Sequence, residues 1–484
     1  MKIKLILNLV AKLMGVEAVS MLPSLAVSIR YGDGDWLAFV QTIALMGVIA
    51  LPLVWLSRKV DRNLNAREGM SVVALTWIII SFFGALPFVF SGTIPNVVDA
   101  FFESVSGFTT TGASIMPVVD GMPRGVMFWR SFTHWIGGMG VLVLALAILP
   151  SLTGRTAHLV RAESPGPSLS RLVPKLGETA KILYLIYGAM TLVLIVLLVL
   201  GGMTVYDAMI HAFGTAGTGG FSNRGLSVGA YQSPWIDAVI TIFMVLFGIN
   251  FAVHYRVLSG GWRDALRDEE LRAYIIMVLL AMGLVTVNIL PLYQGDVLSA
   301  WRYGSFQVSS IVSTTGFATA DFNLWPEFSR LIFVVLMLVG SCAGSTAGGI
   351  KMVRIVMLSK GTRRQIMQLL HPRRVQVVKM DGKPVDDGML SQVAIFFFLY
   401  LTILFLGTLL VSLQNLYDIE TNLTATLSCL SNIGPGLGAV GPLGNFSSYN
   451  WFSKIILSLC MLAGRLEIFP LMVLFSPAVW RKQA

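Results

Sequence analysis

Apolar runs of about 20 residues recur along this chain and constrain its fold more than any other feature, because roughly 20 such residues are needed for a helix to cross a bilayer. Of 484 residues, 12% are charged and 55% are hydrophobic, whereas soluble globular proteins are roughly a quarter charged. The sequence therefore predicts an integral membrane protein surrounded by membrane lipids. Examples of these runs are Ile182–Leu200, Val239–Phe251, Tyr274–Leu290 and Ile395–Val411.

Basic residues are concentrated in alternate loops, while the loops between them, such as those around Asp120 and Asp321, hold few. Because cytoplasmic loops are enriched in Lys and Arg, the basic loops are predicted to be cytoplasmic. Both chain termini of this multi-pass protein are then predicted to face the cytoplasm. Nucleic-acid binding is not predicted, since the basic segments are short and separated by spans. The basic clusters are Arg58–Arg67, Arg155–Lys181, Arg256–Arg272, Lys351–Lys383 and Arg481–Lys482.

No arrangement of residues in the sequence is typical of catalysis or of a metal centre. The three cysteines, Cys342, Cys429 and Cys460, lack metal-ligand spacing and lie among apolar or small residues. Neither a disulfide framework nor a zinc site is therefore predicted. The chain is not predicted to be an enzyme, and no covalently bound cofactor is predicted.

The order of segments between successive basic loops repeats four times, after two leading spans at about 5–29 and 36–57. Each repeat runs from a long apolar span through a short apolar helix and a Gly/Thr-rich turn to a second long span. The predicted segments are 1–66 (leading spans), 67–152, 153–260 and 261–360 (repeats 1 to 3), 361–388 (a basic cytoplasmic loop) and 389–484 (repeat 4). The predicted long spans are 70–91 and 125–150, 182–203 and 234–257, 271–293 and 328–358, and 389–413 and 450–478.

The short segment of each repeat, such as Val97–Phe108 or Val205–Thr215, is about 10 residues long and cannot cross a bilayer. Because each repeat also has two full crossings, all four turns are predicted to face the same non-cytoplasmic side. The repeats are then parallel, unlike the inverted repeats of many secondary transporters. The predicted fold class is an all-α polytopic membrane protein, with two leading transmembrane helices and four parallel helix–pore-helix–helix repeats around one pore with pseudo-fourfold symmetry.

Spacing sets the register of the four turns, because an aspartate lies 13 residues before the glycine in both the first and the second repeat. Gly219 remains an alternative to Gly220 as the equivalent position in the second repeat. The residues taken as equivalent are Gly112, Gly220, Gly316 and Gly434. The turns read Phe108–Ala113 (FTTTGA), Ala216–Phe221 (AGTGGF), Val312–Phe317 (VSTTGF) and Leu430–Pro435 (LSNIGP).

These residue types suit a ring of cation ligands, which we call the filter. A cation that leaves water needs other oxygen ligands, and rings of backbone carbonyls supply them in selective channels. Glycine tolerates the backbone conformations that direct carbonyls toward one axis, and the C-terminal end of each short helix is partially negative. The alternative is that the small residues only allow close helix packing. The predicted filter residues are Thr110, Thr111, Gly112, Thr218, Gly219, Gly220, Thr314, Thr315, Gly316, Asn432, Ile433 and Gly434.

The predicted span 328–358 contains a run of small residues at 340–349 (GSCAGSTAGG) that should interrupt its helix. Each glycine there costs roughly 1 kcal/mol relative to alanine in a helix interior. We interpret the run as a mobile loop beneath the filter that obstructs the pore, with a small-residue packing face as the alternative. The predicted gating residues of this loop are Gly344, Ser345, Thr346, Gly348, Gly349 and Lys351.

Arg465 is also a predicted gating residue, because it lies within the last predicted span. An arginine within the bilayer has a high free-energy cost unless it faces water or a partner, so its presence suggests a functional role. We predict a pore-facing charge that raises the barrier to cations and contacts the loop, with a buried structural pair as the alternative. Lys351 fits a similar role, and it also fits a position at the cytoplasmic rim.

Six motifs resemble those of the Trk/Ktr/HKT superfamily, and most of all its bacterial TrkH/TrkG potassium uptake subunits. The resemblance covers essentially the whole chain. It implies that potassium binds at the filter residues and that the protein is a homodimer with one pore per subunit. It also implies an intramembrane gating loop and a cytoplasmic TrkA-type regulator that carries the nucleotide. The motifs are Ser106–Gly112, Gly219–Ser222, Ser313–Phe322, Asn432–Gly438, Gly344–Lys351 and Gly464–Phe469.

The residues and the resemblance together predict potassium uptake through a gated, channel-like filter. One alternative is a H⁺- or Na⁺-coupled potassium symporter of the same architecture. Another is a scaffold or receptor that uses its glycine turns only for packing. The basic stretch Arg363–Lys383 fits the docking of an acidic regulator or of lipid headgroups, and it equally fits a solvated cytoplasmic loop.

Overall fold

The computed structural model describes residues 3–57, 66–140, 176–373 and 376–476, and these parts of the chain are mainly helical. Two short strands, β1 (Lys379–Met380) and β2 (Lys383–Pro384), form an antiparallel hairpin in which Lys379 pairs with Pro384. The α-helices are α1 (Ile3–Ser20), α2 (Leu22–Tyr31), α3 (Trp36–Leu56), α4 (Ala66–Phe90), α5 (Val97–Phe108), α6 (Arg124–Gly138), α7 (Leu176–Leu200), α8 (Val205–Gly217), α9 (Pro234–Phe247), α10 (Phe251–Leu258), α11 (Trp262–Ala265), α12 (Glu269–Ile289), α13 (Val297–Val312), α14 (Glu327–Val339), α15 (Met352–Leu370), α16 (Asp387–Ser412), α17 (Ile419–Ser431), α18 (Trp451–Arg465) and α19 (Phe469–Phe475). Short 3₁₀ helices occupy Ser227–Tyr231, Leu290–Tyr293, Phe322–Leu324 and Gly438–Val440.

The two leading spans pack against the first repeat. Helices α1 and α2 meet at Met21 and together give an apolar span over Ile6–Tyr31, and α3 is the second span. Helix α1 contacts both α3 and α4. The buried carboxylate of Asp35, just before α3, accepts a hydrogen bond from the N–H of Val126 at 2.8 Å. The leading spans are thus joined to the first turn of α6.

The first helix of each repeat (α4, α7, α12 and α16) is long, apolar and continuous, and lies within a few residues of the predicted span. The described residues include six helices long and apolar enough to cross a membrane, or seven if the bent pair α9–α10 is one span. Large apolar side chains on their outer faces, such as Leu279 and Phe405, are 57% and 62% exposed. Lipid rather than water suits such faces. The predicted all-α polytopic membrane fold is confirmed.

The second helix of each repeat is shorter than the first or broken, and two of the predicted long spans, 234–257 and 450–478, are not single continuous helices. In 234–257, α9 ends at Phe247 and α10 begins at Phe251, with a bend of 98° between them. The side chain of Asn250 starts the new helix, because its Oδ1 accepts the N–H of Ala252 at 2.9 Å. The predicted span 450–478 breaks after Arg465, where α18 ends.

The break after α18 has a backbone cause. Glu467 and Ile468 have φ angles of +55° and +68°, positive values that end a helix and are unusual for a β-branched residue. In the third repeat the predicted interruption is present between Val339 and Met352. In the first repeat, α6 ends at Gly138, and the rest of the predicted span 125–150 lies outside the described residues from position 141.

Each repeat has a short helix of 12 to 16 residues between its longer helices. These four, α5, α8, α13 and α17, are called the short helices. Each starts at a residue whose side-chain oxygen accepts a helix N–H, the usual role of an N-cap. Their last residues are buried, so each short helix enters the protein and stops inside it. The N-caps are Asn96, Thr204, Asp296 and Asp418.

Several features of the predicted topology lie outside the described residues. They include most of the basic loops Arg58–Arg67 and Arg155–Lys181, the repeat boundary at 152, and Arg481–Lys482. The division of the chain into six segments and the cytoplasmic location of both termini stay predictions.

Candidate functional site

The four turns that follow the short helices share one backbone conformation, with a positive φ at two residues separated by one. The first such residues are Thr110, Thr218, Thr314 and Asn432, at 56°, 56°, 57° and 56°. The second are Gly112, Gly220, Gly316 and Gly434, at 79°, 73°, 81° and 104°. Gly220, rather than Gly219, therefore occupies the position equivalent to Gly112.

The four turns meet in a closed ring, in the order of the chain. Beside the glycine of each turn lies a backbone carbonyl of the next turn, at the place where any other residue would carry its Cβ atom. The fourth turn faces the first in the same way, so the ring closes. These contacts run from Gly112 to Gly219, from Gly220 to Thr315, from Gly316 to Ile433 and from Gly434 to Thr111.

The backbone of each turn is suited to present carbonyl oxygens to the centre of this ring. In an extended strand successive residues point to opposite sides, whereas a positive φ at every second residue turns neighbouring carbonyls to the same side. Glycine adopts this conformation readily. Threonine or asparagine in it costs of order 1–3 kcal/mol and persists only where the surroundings hold it. Rings of such carbonyls can replace the hydration shell of a cation.

Buried side chains form hydrogen bonds within the first and third turns and between the fourth and the first. The Oγ1 of Thr111 lies 2.8 Å from that of Thr109, and the Oγ1 of Thr315 lies 2.7 Å from the Oγ of Ser313. In the fourth turn Asn432 donates from Nδ2 to the Oγ1 of Thr111 at 3.0 Å, across the contact that closes the ring. Among the described residues, no group of three or more His, Cys, Asp or Glu side chains is placed to hold a metal ion.

A cavity lies on each side of the ring. We call the cavity on the side of the loops that follow the turns the outer cavity. It has a volume of about 130 Å³ and is lined by these loops and by the four equivalent glycines. The inner cavity, of about 100 Å³, has several predicted gating residues in its wall. The predicted filter and gating residues are thus adjacent in space. Lining the inner cavity are Gly344, Ser345, Gly348, Lys351, Asn432 and Arg465.

The residues between α14 and α15, at 340–351, form an irregular segment that we call the intramembrane loop. Its two ends meet, because the N–H of Lys351 donates to the carbonyl of Val339 at 3.0 Å and that of Ile350 donates to Leu338 at 3.2 Å. The loop therefore leaves the helix path and returns to nearly the same point. Positive φ angles of 70°, 70°, 78° and 81° occur at Gly340, Gly344, Gly349 and Lys351.

The intramembrane loop contacts the ring from its inner side. The N–H of Gly348 donates to the Oγ1 of Thr314 at 2.8 Å, and the hydroxyl of Ser341 donates to the carbonyl of Val312 at 2.8 Å. A methyl group on Gly348 would collide with the carbonyl of Ser431. The loop therefore covers the inner side of the third and fourth turns.

The guanidinium group of Arg465 connects the loop, the ring and the end of α6. It donates to the carbonyl of Thr346 in the loop at 2.8 Å and to the Oγ1 of Thr110 in the first turn at 3.3 Å. It also donates to the carbonyls of Gly137 and Gly138, the latter at 2.6 Å. A cation is favourable there, because the C-terminal carbonyls of a helix carry partial negative charge.

Lys351 lies at the inner cavity and not at a solvated rim, because it is only 3% exposed. Its ammonium group donates a hydrogen bond to the carbonyl of Ala347 within the loop. Glu467 does not face Arg465 along a continuous helix. It pairs instead with Arg354 of α15 at 2.5 Å. This pair joins the break after α18 to the helix that follows the intramembrane loop.

Glu270, which the sequence analysis does not single out, joins the intramembrane loop to the start of α15. It lies in the first turn of α12, is 7% exposed, and accepts with Oε1 from the N–H of Ala343 at 2.6 Å and from that of Val353 at 3.1 Å. Acidic residues are ordinary in the first turn of a helix, so the sequence carries no distinctive signal of this contact.

The buried pair of Glu103 and Arg130 is likewise absent from the predicted site. Its Oε1 and Nε atoms are 2.6 Å apart, and both side chains are almost fully buried. A signal exists in the sequence, since each charge interrupts an otherwise apolar segment, but neither charge identifies its partner.

Comparisons with known proteins agree with this architecture. The model of the TrkH family, described as a cation transport protein, matches residues 37–482. The chain is 39% identical over 464 residues to the Trk system potassium uptake protein TrkH of Escherichia coli, over 94% of this chain and 95% of that protein. It is 32% identical over 482 residues to the Trk system potassium uptake protein TrkG of Escherichia coli, over 99% of each. The crystal structure of the potassium transporter TrkH from Vibrio parahaemolyticus matches with a TM-score of 0.88 and 33% identity, over 99% of this chain and 100% of that one.

Proposed function

Because this chain belongs to the TrkH family of cation transport proteins, we propose that it takes up potassium across the bacterial inner membrane through the ring of four turns. The family is one of transport proteins and not of enzymes. The observation that carries the proposal is the closed ring, in which the glycine of each turn lies against a carbonyl of the next turn. Such a ring gives a dehydrated cation oxygen ligands from four sides.

In this proposal K⁺ enters the outer cavity, loses water and passes between the backbone carbonyls of the turns. The short helices support the ion, because each points the negative end of its dipole toward the ring. Hydroxyl groups of the first and third turns add oxygen atoms beside the carbonyls. Selectivity then depends on how firmly the surrounding contacts hold the carbonyls in place.

The intramembrane loop and Arg465 act as the gate in this proposal. The loop lies under the third and fourth turns, and Arg465 reaches from the loop to the first turn. Conduction therefore requires the loop to leave the ring and its charged neighbours to move from the ion path. The positive charge of Arg465 adds an electrostatic barrier to cations at the inner cavity, whose wall also contains Lys351.

We further propose that the protein works as a homodimer with one pore per subunit and with a TrkA-type cytoplasmic regulator that binds the nucleotide. The motifs quoted above and the names of the relatives, which describe a Trk system, support this part. The exposed basic residues after Gly361, together with the β1–β2 hairpin, offer a cytoplasmic surface of suitable charge for such a regulator.

The test is uptake of radiolabelled Rb⁺ and Na⁺ into liposomes that contain the purified protein, compared with a Gly316→Ser variant. We expect Rb⁺ uptake to exceed Na⁺ uptake by at least about tenfold in the natural protein and the two rates to become similar in the variant. Serine at position 316 would place its Cβ against the carbonyl of Ile433 and would need a φ of 81°.

Gly295→Ser is the matched control for this test. Gly295 has nearly the same φ, 83°, but nothing lies within 4 Å of the position that its Cβ would take. Equal Rb⁺ preference in Gly316→Ser and Gly295→Ser would contradict the filter assignment. Each measurement is repeated in Arg465→Ala protein, so that a closed gate is distinguished from the absence of a pore.

The same liposomes distinguish channel-like passage from coupled symport. In a channel, Rb⁺ distributes according to the membrane potential alone, and an imposed proton or Na⁺ gradient leaves that distribution unchanged. If either gradient drives Rb⁺ accumulation above the level that the membrane potential alone would give, the result favours the symporter.

A further inference from the structure

A set of buried side chains behind the ring differs from repeat to repeat in an informative way. Counting back nine residues from each equivalent glycine leads to one fully buried position on every short helix. In the first three repeats the residue there is polar and in the fourth it is alanine. These residues are Glu103, His211, Gln307 and Ala425.

Each of the three polar residues forms a hydrogen bond with the segment that follows its own turn on the side of the outer cavity. Glu103 accepts from the hydroxyl of Ser114 at 2.9 Å and from the N–H of Ile115 at 2.8 Å. The Nε2 of His211 lies 3.0 Å from the Oγ of Ser222. Gln307 donates from Nε2 to the carbonyl of Ala320 at 3.2 Å. In the fourth repeat the neighbouring Thr424 accepts from the N–H of Leu437 at 2.9 Å.

Only the first of these positions holds a carboxylate, and its partner reaches the second turn. Arg130, on α6, binds Glu103 at 2.6 Å and donates to the carbonyl of Ser222 at 3.2 Å. The Cζ atom of Arg130 lies 3.5 Å from the centre of the Phe221 ring. Phe221 and Ser222 directly follow Gly220, so the ion pair connects the outer ends of the first and second turns.

We propose that the Glu103–Arg130 pair is a positioning unit that sets the distance between the first two turns and thereby contributes to the preference for K⁺ over Na⁺. This inference rests on the proposed filter function. Carbonyl placement determines which cation is held best. The described contacts provide a second charged link between the same turn exits, from the N–H of Gly225 to the carboxylate of Asp120 at 3.1 Å, but that link is exposed, whereas the Glu103–Arg130 pair is buried. A pair this deeply buried is rigid because neither charge tolerates separation from its partner.

A purely structural pair would make a different prediction. Removing either charge would then lower the stability of the protein without changing its discrimination between ions. Arg130 also lines the outer cavity, so an unpaired charge there would change the entry of all cations alike. The ratio of Rb⁺ to Na⁺ uptake separates positioning from both of these effects.

The experiment measures this ratio and thermal stability for Glu103→Gln, Arg130→Gln and the double variant, all in Arg465→Ala protein. We expect the ratio to fall about tenfold in each single variant, with no further fall in the double variant, because each change removes the same link. Glu103→Asp keeps the charge and shortens its reach. It serves as the test if the uncharged variants do not fold, and a severalfold fall in the ratio is expected.

Asp237→Asn is the matched control, because Asp237 pairs with Arg302 at 2.7 Å, away from the turn exits. We expect it to lower stability and leave the ratio unchanged. A ratio unchanged in folded Glu103→Gln and Glu103→Asp, or restored in the double variant, would overturn the positioning role. A parent protein without any Rb⁺ preference would instead contradict the proposed function, so the two failures are distinguishable.

Discussion

The two sides of the ring are held in different ways. On the outer side, buried side chains of the short helices form hydrogen bonds with the segments that follow the turns, as Glu103 does with Ile115 and His211 with Ser222. On the inner side the ring meets the intramembrane loop, whose glycine-rich backbone is attached through a few hydrogen bonds such as that from Gly348 to Thr314. The outer contacts are made by side chains of regular helices, whereas at the inner contacts the loop itself offers mainly backbone groups, such as the N–H of Gly348 and the carbonyl of Thr346, from a segment without regular structure.

This difference separates two tasks within one structure. Side chains buried inside helices cannot leave without unfolding their surroundings, so the outer side keeps one geometry. A loop with glycines at left-handed φ and few regular hydrogen bonds belongs to the part of a protein that opens most easily. We therefore expect changes on the outer side to alter ion preference, and changes on the inner side to alter the amount of flux at constant preference.

The largest effect on the inner side is expected for Arg465→Ala. The substitution removes the hydrogen bonds that join the loop to the first turn and to α6, and charged hydrogen bonds of this kind contribute about 1.5–3 kcal/mol each. We expect Rb⁺ flux into liposomes to rise on the order of tenfold or more, with an unchanged Rb⁺/Na⁺ ratio.

Arg465→Lys sharpens this prediction, because it keeps the charge and loses the forked geometry. Flux as low as in the natural protein would assign the barrier to charge, and flux as high as in Arg465→Ala would assign it to the connection with the loop. A folded Arg465→Ala protein that conducts less than the natural one would contradict both.

A smaller increase in flux is expected for Glu270→Ala. Without the carboxylate, the N–H groups of Ala343 and Val353 lose their buried acceptor. Each unsatisfied donor destabilises the state in which the loop contacts the ring by about 1–3 kcal/mol. Flux should rise severalfold at constant ion preference. Glu270→Gln retains an acceptor oxygen and should stay close to the natural protein. A change in the Rb⁺/Na⁺ ratio in Glu270→Ala would break the division between the two sides of the ring.

The smallest effect is expected for Asp418→Ala, at the exposed start of the fourth short helix. Asp418 caps this helix by accepting the N–H of Thr421 at 3.0 Å, and loss of such a cap costs roughly 0.5–2 kcal/mol. Thermal unfolding in detergent should occur a few degrees earlier, with flux and ion preference unchanged. Asp418→Asn retains a good cap and is the control.

The pH dependence of that stability difference follows from the same contact. Hydrogen bonds from the Thr421 hydroxyl and N–H lower the pKa of the Asp418 carboxyl. A lowered folded-state pKa gives stability that is present above the ordinary carboxyl range and is lost as pH falls through the folded pKa. The difference in stability between the natural protein and the Asp418→Ala variant should therefore be constant around neutral pH and shrink only in acid. A difference that shrinks between neutral and mildly alkaline pH would contradict this origin.

Much of the fold follows from local sequence patterns. The first long span of each repeat, the short helices and the interruption at 340–349 each depend on residue types within one segment, and the structure contains all three. The bend between α9 and α10 does not follow from the local sequence, because Gly248 and Asn250 lie in an apolar run that is compatible with a continuous helix. The end of α18 at Arg465 is not predictable from the sequence either, because Ile468 would suit a helix better than the positive φ that it adopts.

The site was less predictable where partners lie far apart in the chain. The contact from Ala343 to Glu270 spans 73 residues, and that from Arg354 to Glu467 spans 113. A charged residue in an apolar segment indicates that a partner exists, but only the packing of the helices selects which one. The equivalence of the four glycines is the opposite case, because internal repetition supplies the comparison within one sequence.

The closed ring is encoded by a single chain, and this changes how it can evolve. In an assembly of four identical subunits every substitution appears four times, so a gene cannot alter one quarter of a pore. Here Asn432 and Ile433 stand where the first turn has two threonines, and the fourth quarter alone is followed by Arg465. Under the proposed function, one mutation therefore changes only one of the four sides of the pore, so ion preference and barrier height can be adjusted gradually.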